Sequence, residues 1–85
     1  MENFNLVING VLNMTNLKAS EKLVMIHLYT LKSMGIYQAH TEVSSNQLNY
    51  TRPGYSKILK RLIGMGYVEH AQGRGYYKLA ETNIF

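Results

Sequence analysis

The stretch YTRPGYSKILKRLIGMGYVEH, residues 50–70, decides how this chain is read. Thr51 offers a hydroxyl where a helix begins, and Pro53 falls in the first turn, where no intrahelical N–H donor is required. Tyr55, Leu59 and Leu62 then recur at helical spacing and form one apolar stripe, which Ile58 and Met65 widen. Gly64 and Gly66 bring the pattern to a stop. Away from the stripe stand Ser56, Lys57, Lys60 and Arg61, with Arg52 at the start. The helix has an apolar side made for a core and a polar side that is almost wholly cationic.

The cations are not spread evenly. Residues 1–49 carry three lysines and three glutamates, which cancel. Residues 50–78 carry six cations against Glu69 alone, a net of +5, and Glu81 brings the whole chain to +4. Positive charge gathered in one third of a chain suits a polyanion partner, because each phosphate neutralised releases condensed counterions.

Downstream of the helix the chain reads as a hairpin. Residues 67–71 form one strand, residues 72–75 a loop with a glycine on each side of Arg74, and residues 76–80 the return strand. The alternation places Val68, Tyr77 and Leu79 inward and Tyr76 and Lys78 outward. Upstream, Leu23, Val24, Leu28, Leu31 and Met34 predict a helix over residues 19–34, closed by Gly35. A short strand is expected near the end of residues 36–43. Ser44 and Gln47 form a candidate capping box for a short helix with Leu48 inward. A start at Ser44 leaves about one turn too little before Thr51, so that helix either begins earlier, near Thr41, or is trimmed. At the front, Phe4, Leu6 and Ile8 alternate and point to an extended arm or strand within residues 1–17, ended by Asn9-Gly10. Val11, Leu12 and Met14 suggest one helical turn after it. With 85 residues, no internal repeat and no linker, the chain is expected to be a single small domain.

Helix, short strand, helix, turn, helix, hairpin is the element order of a winged helix-turn-helix. The run 50–70 resembles the recognition-helix region of that superfamily: Thr51 in the cap position, Arg52 in the basic position, Leu59 and Leu62 as the core pair. Gly66-Tyr67-Val68 matches the turn into the wing. The segment FNLVINGVLNMTNLKASEKLVMIHL, residues 4–28, looks like the front of winged-helix domains in phage and plasmid replication proteins and small bacterial regulators. The resemblance covers residues 4–80. It departs from the usual pattern at Lys18, where Ser or Thr is common and only Glu21 remains of the capping box. It departs again at Tyr55, where a small β-branched residue is usual.

The resemblance implies an α+β fold of three helices plus a C-terminal β-hairpin wing, and a non-catalytic role in binding DNA. Arg52, Ser56 and Lys57 would face base edges, and Lys60 and Arg61 would sit at phosphates. Arg74 at the wing tip would reach the adjacent minor groove or backbone, and Lys78 would add a phosphate contact from the strand. Tyr50 and Tyr76 are the stacking candidates among the seven tyrosines. Tyr55, Tyr67 and Tyr77 fall on inward positions.

Other chemistries find little support. The chain has no cysteine and no aspartate, and His27, His40 and His70 lie far apart, so neither a common metal set nor a Ser-His-Asp triad is expected. Gly73-Arg74-Gly75 lacks the Lys-Ser/Thr of a phosphate-binding loop. No enzyme activity and no cofactor are implied. The start MENFNLVING has an early glutamate and no basic region, so no secretory signal is expected. A cysteine-free chain fits a reducing cytoplasm. The expected role is transcription regulation or replication of a mobile element. Single-stranded DNA binding in replication and a protein-interaction module are the alternatives. The apolar Asn83-Ile84-Phe85 end, with Phe4–Ile8, is a candidate homodimer contact.

Overall fold

Three helices of this chain stop in the same way, and those stops fix the path between them. A computed structural model describes residues 4–80, with side chains from Ile8 onward. The described elements are α1 (Phe4–Leu12), α2 (Ala19–Ser33), β1 (Ala39–His40), α3 (Thr41–Gln47), α4 (Arg52–Gly64), β2 (Val68–His70) and β3 (Tyr76–Leu79). Helix α2 is followed by Gly35 at φ +84°, α3 by Asn49 at φ +60° and α4 by Gly66 at φ +84°. In each case the next N–H reaches back five residues: Ile36 to the Leu31 carbonyl, Tyr50 to Ser45, Tyr67 to Leu62, at 2.9, 2.9 and 3.0 Å. These are Schellman motifs, in which a left-handed residue lets the chain turn back and satisfy the last carbonyls.

The architecture is α+β. The strands form one antiparallel sheet in the order β1-β3-β2. The hairpin register pairs Val68 with Leu79, Glu69 with Lys78 and His70 with Tyr77. Hydrogen bonds from Ala80 N to Tyr67 O and from Ala71 N to Tyr76 O extend it to the expected limits. β1 adds to the other side of β3, with Ala39 opposite Tyr77 and His40 opposite Tyr76. Gly73 and Gly75 both take positive φ at the hairpin tip, as the two glycines around Arg74 predict.

One core holds these layers together. Val24, Met25 and Leu28 of α2, Tyr55, Leu59 and Leu62 of α4, Val11 of α1, Val68 of β2, Leu17 and Ala39 are all buried. The α4 stripe is buried as its spacing predicts. On α2 the buried face is narrower than the apolar spacing implies: Leu23 and Met34 are exposed.

Two expectations are corrected. Residues 4–12 form a helix, not an extended arm, so the described chain has four helices rather than three. Phe4, Val7, Ile8 and Val11 share a 3.6-residue period that the Phe4-Leu6-Ile8 alternation hides. The helix runs through Asn9-Gly10, since packing α1 on α2 and burying Val11 completely outweighs the ~1 kcal/mol helix penalty of a glycine. Second, α3 begins at Thr41 and its cap is His40, not Ser44. Ser44 and Ser45 are both fully buried inside the helix. The early start is the one of the two open alternatives that lengthens the helix. The Asn83–Phe85 end lies outside the described residues.

Candidate nucleic-acid interface

The junction between α3 and α4 begins with caps. Thr51 Oγ1 accepts from the Gly54 N–H at 3.2 Å, which fixes the start of α4 one residue before Arg52. A four-residue turn, Leu48 to Thr51, joins the two helices. The pair packs tightly because α3 presents small residues where α4 presents a large one. Ser44 and Ser45 are buried, and Tyr55 is 1% exposed beside them. The Tyr55 phenol shares a hydrogen bond with Ser44, and burial pushes its pKa upward. Ser44 Oγ also lies 3.1 Å from His27 Nε2 on α2. Burial lowers the His27 pKa, since the imidazolium loses solvation there. A polar chain therefore runs His27–Ser44–Tyr55 through three helices. The bulk of Tyr55, unusual at this position in the resemblance, is absorbed by serines facing it.

With the stripe inward, helical spacing of about 100° per residue turns Lys57 and Lys60 outward. Arg52, Lys57 and Lys60 are exposed, and Ser56 is half-buried on the flank. Helix α4 contains no carboxylate. Among the described residues, Arg52, Lys57, Lys60 and Arg74 have no ion-pair or hydrogen-bond partner. The hairpin starts two residues beyond the α4 cap, and its tip carries Arg74, also exposed.

The remaining candidates have other commitments. Arg61 Nε meets Glu21 Oε2 at 2.5 Å, and the Glu21 side chain is only 3% exposed against 48% for Arg61. Glu21 Oε1 also accepts from the Lys18 N–H at 2.8 Å, completing its part of the α2 cap. Arg61 is thus first a tether between α4 and α2. Lys78 pairs with Glu69 across the hairpin at 3.3 Å. Tyr50 is half-buried and packs against the core, so part of its ring is taken. Tyr76 is the exposed one, at 36%, and its ring meets that of His40 edge-on at a centroid distance of 5.0 Å.

No protein-family profile, curated protein or solved structure matches this chain. Its own geometry therefore carries the functional reading. No helix among the described residues is long and apolar enough to cross a membrane, and no group of three His, Cys, Asp or Glu there is placed to hold a metal ion.

The sequence reading missed two residues. Glu21 is visible from sequence as a capping residue, but its pairing with Arg61, forty residues away, has no local signal. In the sequence His40 stands as an isolated histidine. Its placement beside Tyr76 depends on the β1–β3 register, which a two-residue strand does not announce.

Proposed function

We propose that this protein is a winged helix-turn-helix DNA-binding protein, with α3 and α4 as the helix-turn-helix and β2–β3 as the wing. It binds without catalysis and acts in transcription regulation or in replication of a mobile element. The observation that carries the reading is the outward side of α4, where Arg52, Lys57 and Lys60 stand exposed on a helix with no carboxylate. An ordinary solvated helix face mixes signs, whereas a single sign with no partner attracts a polyanion. The α3–turn–α4 order, a hairpin directly after it and a third strand pairing with that hairpin support the same reading.

In this reading Lys57 and Lys60 contact phosphates or base edges from α4, with Arg52 at its start, and Arg74 contacts the backbone or minor groove from the wing. Arg61 and Lys78 contribute field more than direct contact, because each already has an acidic partner. A single-stranded preference is less well supported: Tyr55 is buried and Tyr50 is partly so, which leaves Tyr76 as the exposed ring of the three.

Gel shifts with duplex fragments and oligo-dT at two salt concentrations test the proposal. Duplex binding that weakens steeply with salt, and that Lys57→Ala with Lys60→Ala reduces, is the expected result. Tighter binding to oligo-dT than to any duplex would move the function to single strands. Salt-insensitive behaviour with neither probe bound would leave a protein-interaction module instead.

A further inference from the structure

The wing tip is held by the residue that starts α3. His40 Nδ1 accepts from the Glu42 N–H at 3.2 Å and so caps α3. Acceptance at Nδ1 puts the neutral ring's proton on Nε2. That atom faces the wing: a Cβ built on Gly75 would lie 3.0 Å from it. The imidazole and the Tyr76 ring meet nearly at right angles, 74° between planes. Beside it, the Gly75 carbonyl accepts twice from Thr41, from the backbone N–H at 2.9 Å and from Oγ1 at 3.1 Å. Gly75 directly follows Arg74, and Tyr76 follows Gly75. The two residues on the C-terminal side of the tip cation are therefore gripped by His40 and Thr41.

This grip has a consequence for geometry. A two-residue β-bridge and a glycine-rich loop would leave Arg74 with a wide range of positions. Gly73 and Gly75 cost backbone entropy to order; the Tyr76 N–H holds the Gly73 carbonyl at 3.3 Å, and Thr41 and His40 hold the Gly75 side of the tip. His40 ends β1 and caps α3, and α3 packs on α4. The imidazole, together with the two Thr41 hydrogen bonds, thus links the wing tip to the start of α3 and through it to the basic helix.

We propose that His40 is a positioning residue for DNA binding: it holds Arg74 and Tyr76 at a set distance from the cations of α4, so that wing and helix engage one duplex together. The proposal rests on the DNA-binding reading above, and its effect runs through Arg74 rather than through contact of His40 with DNA.

A double-mutant cycle tests it. His40→Asn retains a side-chain oxygen able to cap α3 but removes the ring from Gly75 and Tyr76. The expected result is a thermal midpoint near wild type and duplex affinity reduced about three- to tenfold, close to the loss in Arg74→Ala, the scale of one charged contact. The double variant should then bind no more weakly than Arg74→Ala, because the two residues act as one unit. Losses that multiply would overturn the proposal. Hydrogen exchange at the Thr41 amide, which bonds Gly75, is read without DNA. Faster exchange in His40→Asn, with no DNA bound by the wild type, would keep the brace and reject the DNA-binding reading. Exchange unchanged from wild type would reject the brace itself.

Discussion

Arg61 Nε lies 2.5 Å from Glu21 Oε2, and the carboxylate it meets is buried while the arginine is half exposed. The pair ties α4 to the first turn of α2. Removing Arg61 strands a buried carboxylate that, among the described residues, retains only the Lys18 N–H as a partner. Arg61→Ala should therefore destabilise the fold by about 2 kcal/mol, less than the ~3–5 kcal/mol of a fully buried pair because water screens the arginine side. Glu21→Gln should cost less than Arg61→Ala, since the amide oxygen still accepts from Lys18 and no charge is left buried. Urea unfolding midpoints of the two variants check the order.

Stability should also depend on pH through His27. Burial lowers its folded pKa from the ordinary 6.5, so the unfolded chain binds the proton more readily. The contribution is intact above 6.5 and is lost as pH falls through 6.5 toward the lower folded value. Protonation makes both ring nitrogens donors, so Nε2 can then only donate to Ser44, the residue that also bonds Tyr55. His27→Gln should flatten this part of the stability–pH curve. Chemical denaturation at a series of pH values between 7 and 5 reads the difference between variant and wild type, and parallel curves would show that His27 does not carry the slope.

What the sequence revealed and concealed follows from the range of the interactions. The cap at Thr51, the stripe Tyr55–Leu59–Leu62 and the glycines around Arg74 are local, and each is realised. Helix α1 was hidden because β-branched residues fit both a strand and a helix packed on a neighbour, and only the burial of Val11 against α2 decides between them. A start of α3 near Thr41 is one of the two alternatives the sequence leaves open, but its cap is not legible there, because it is a histidine, a less common cap than serine. In the candidate interface, the exposed cations Arg52, Lys57 and Lys60 were legible from period and charge. The commitments of Arg61 and Lys78 to Glu21 and Glu69 were not, because each pairing depends on how elements distant in sequence, or facing strands, are brought together.

Asn49 is the one non-glycine among the described residues at positive φ, and it sits in the turn between α3 and α4. Asparagine tolerates the left-handed region better than other side chains, and glycine better still. Asn49→Gly should stay within about 0.5 kcal/mol of wild type, whereas Asn49→Val should lose about 1–2 kcal/mol. For a chain of this size the second loss lowers the thermal midpoint by roughly 4–8 °C per kcal/mol. Circular dichroism melts separate the two. An unchanged melt for Asn49→Val would mean that the turn is free to adopt another conformation, and with it the angle between α3 and α4.

Lys60 and Arg61 are neighbours on α4 with the same charge, yet the geometry assigns them different work. Lys60 is exposed and, among the described residues, without a partner; Arg61 is bound to Glu21. If α4 docks on duplex DNA, Lys60→Ala should lower affinity across sequences and reduce the slope of log K against log salt by about 1, the share of one phosphate contact. Lys57→Ala should weaken binding and, if Lys57 reaches base edges, also relax sequence preference. Arg61→Ala should reduce the slope by clearly less than Lys60→Ala while lowering the melting temperature more, because its first partner is a carboxylate of the protein. Titrations at several salt concentrations, each paired with a melt, distinguish the two roles. Equal slope changes at Lys60 and Arg61 would show that Arg61 leaves Glu21 for phosphate when DNA binds. A slope unaffected by any of the three would move the contact surface away from α4.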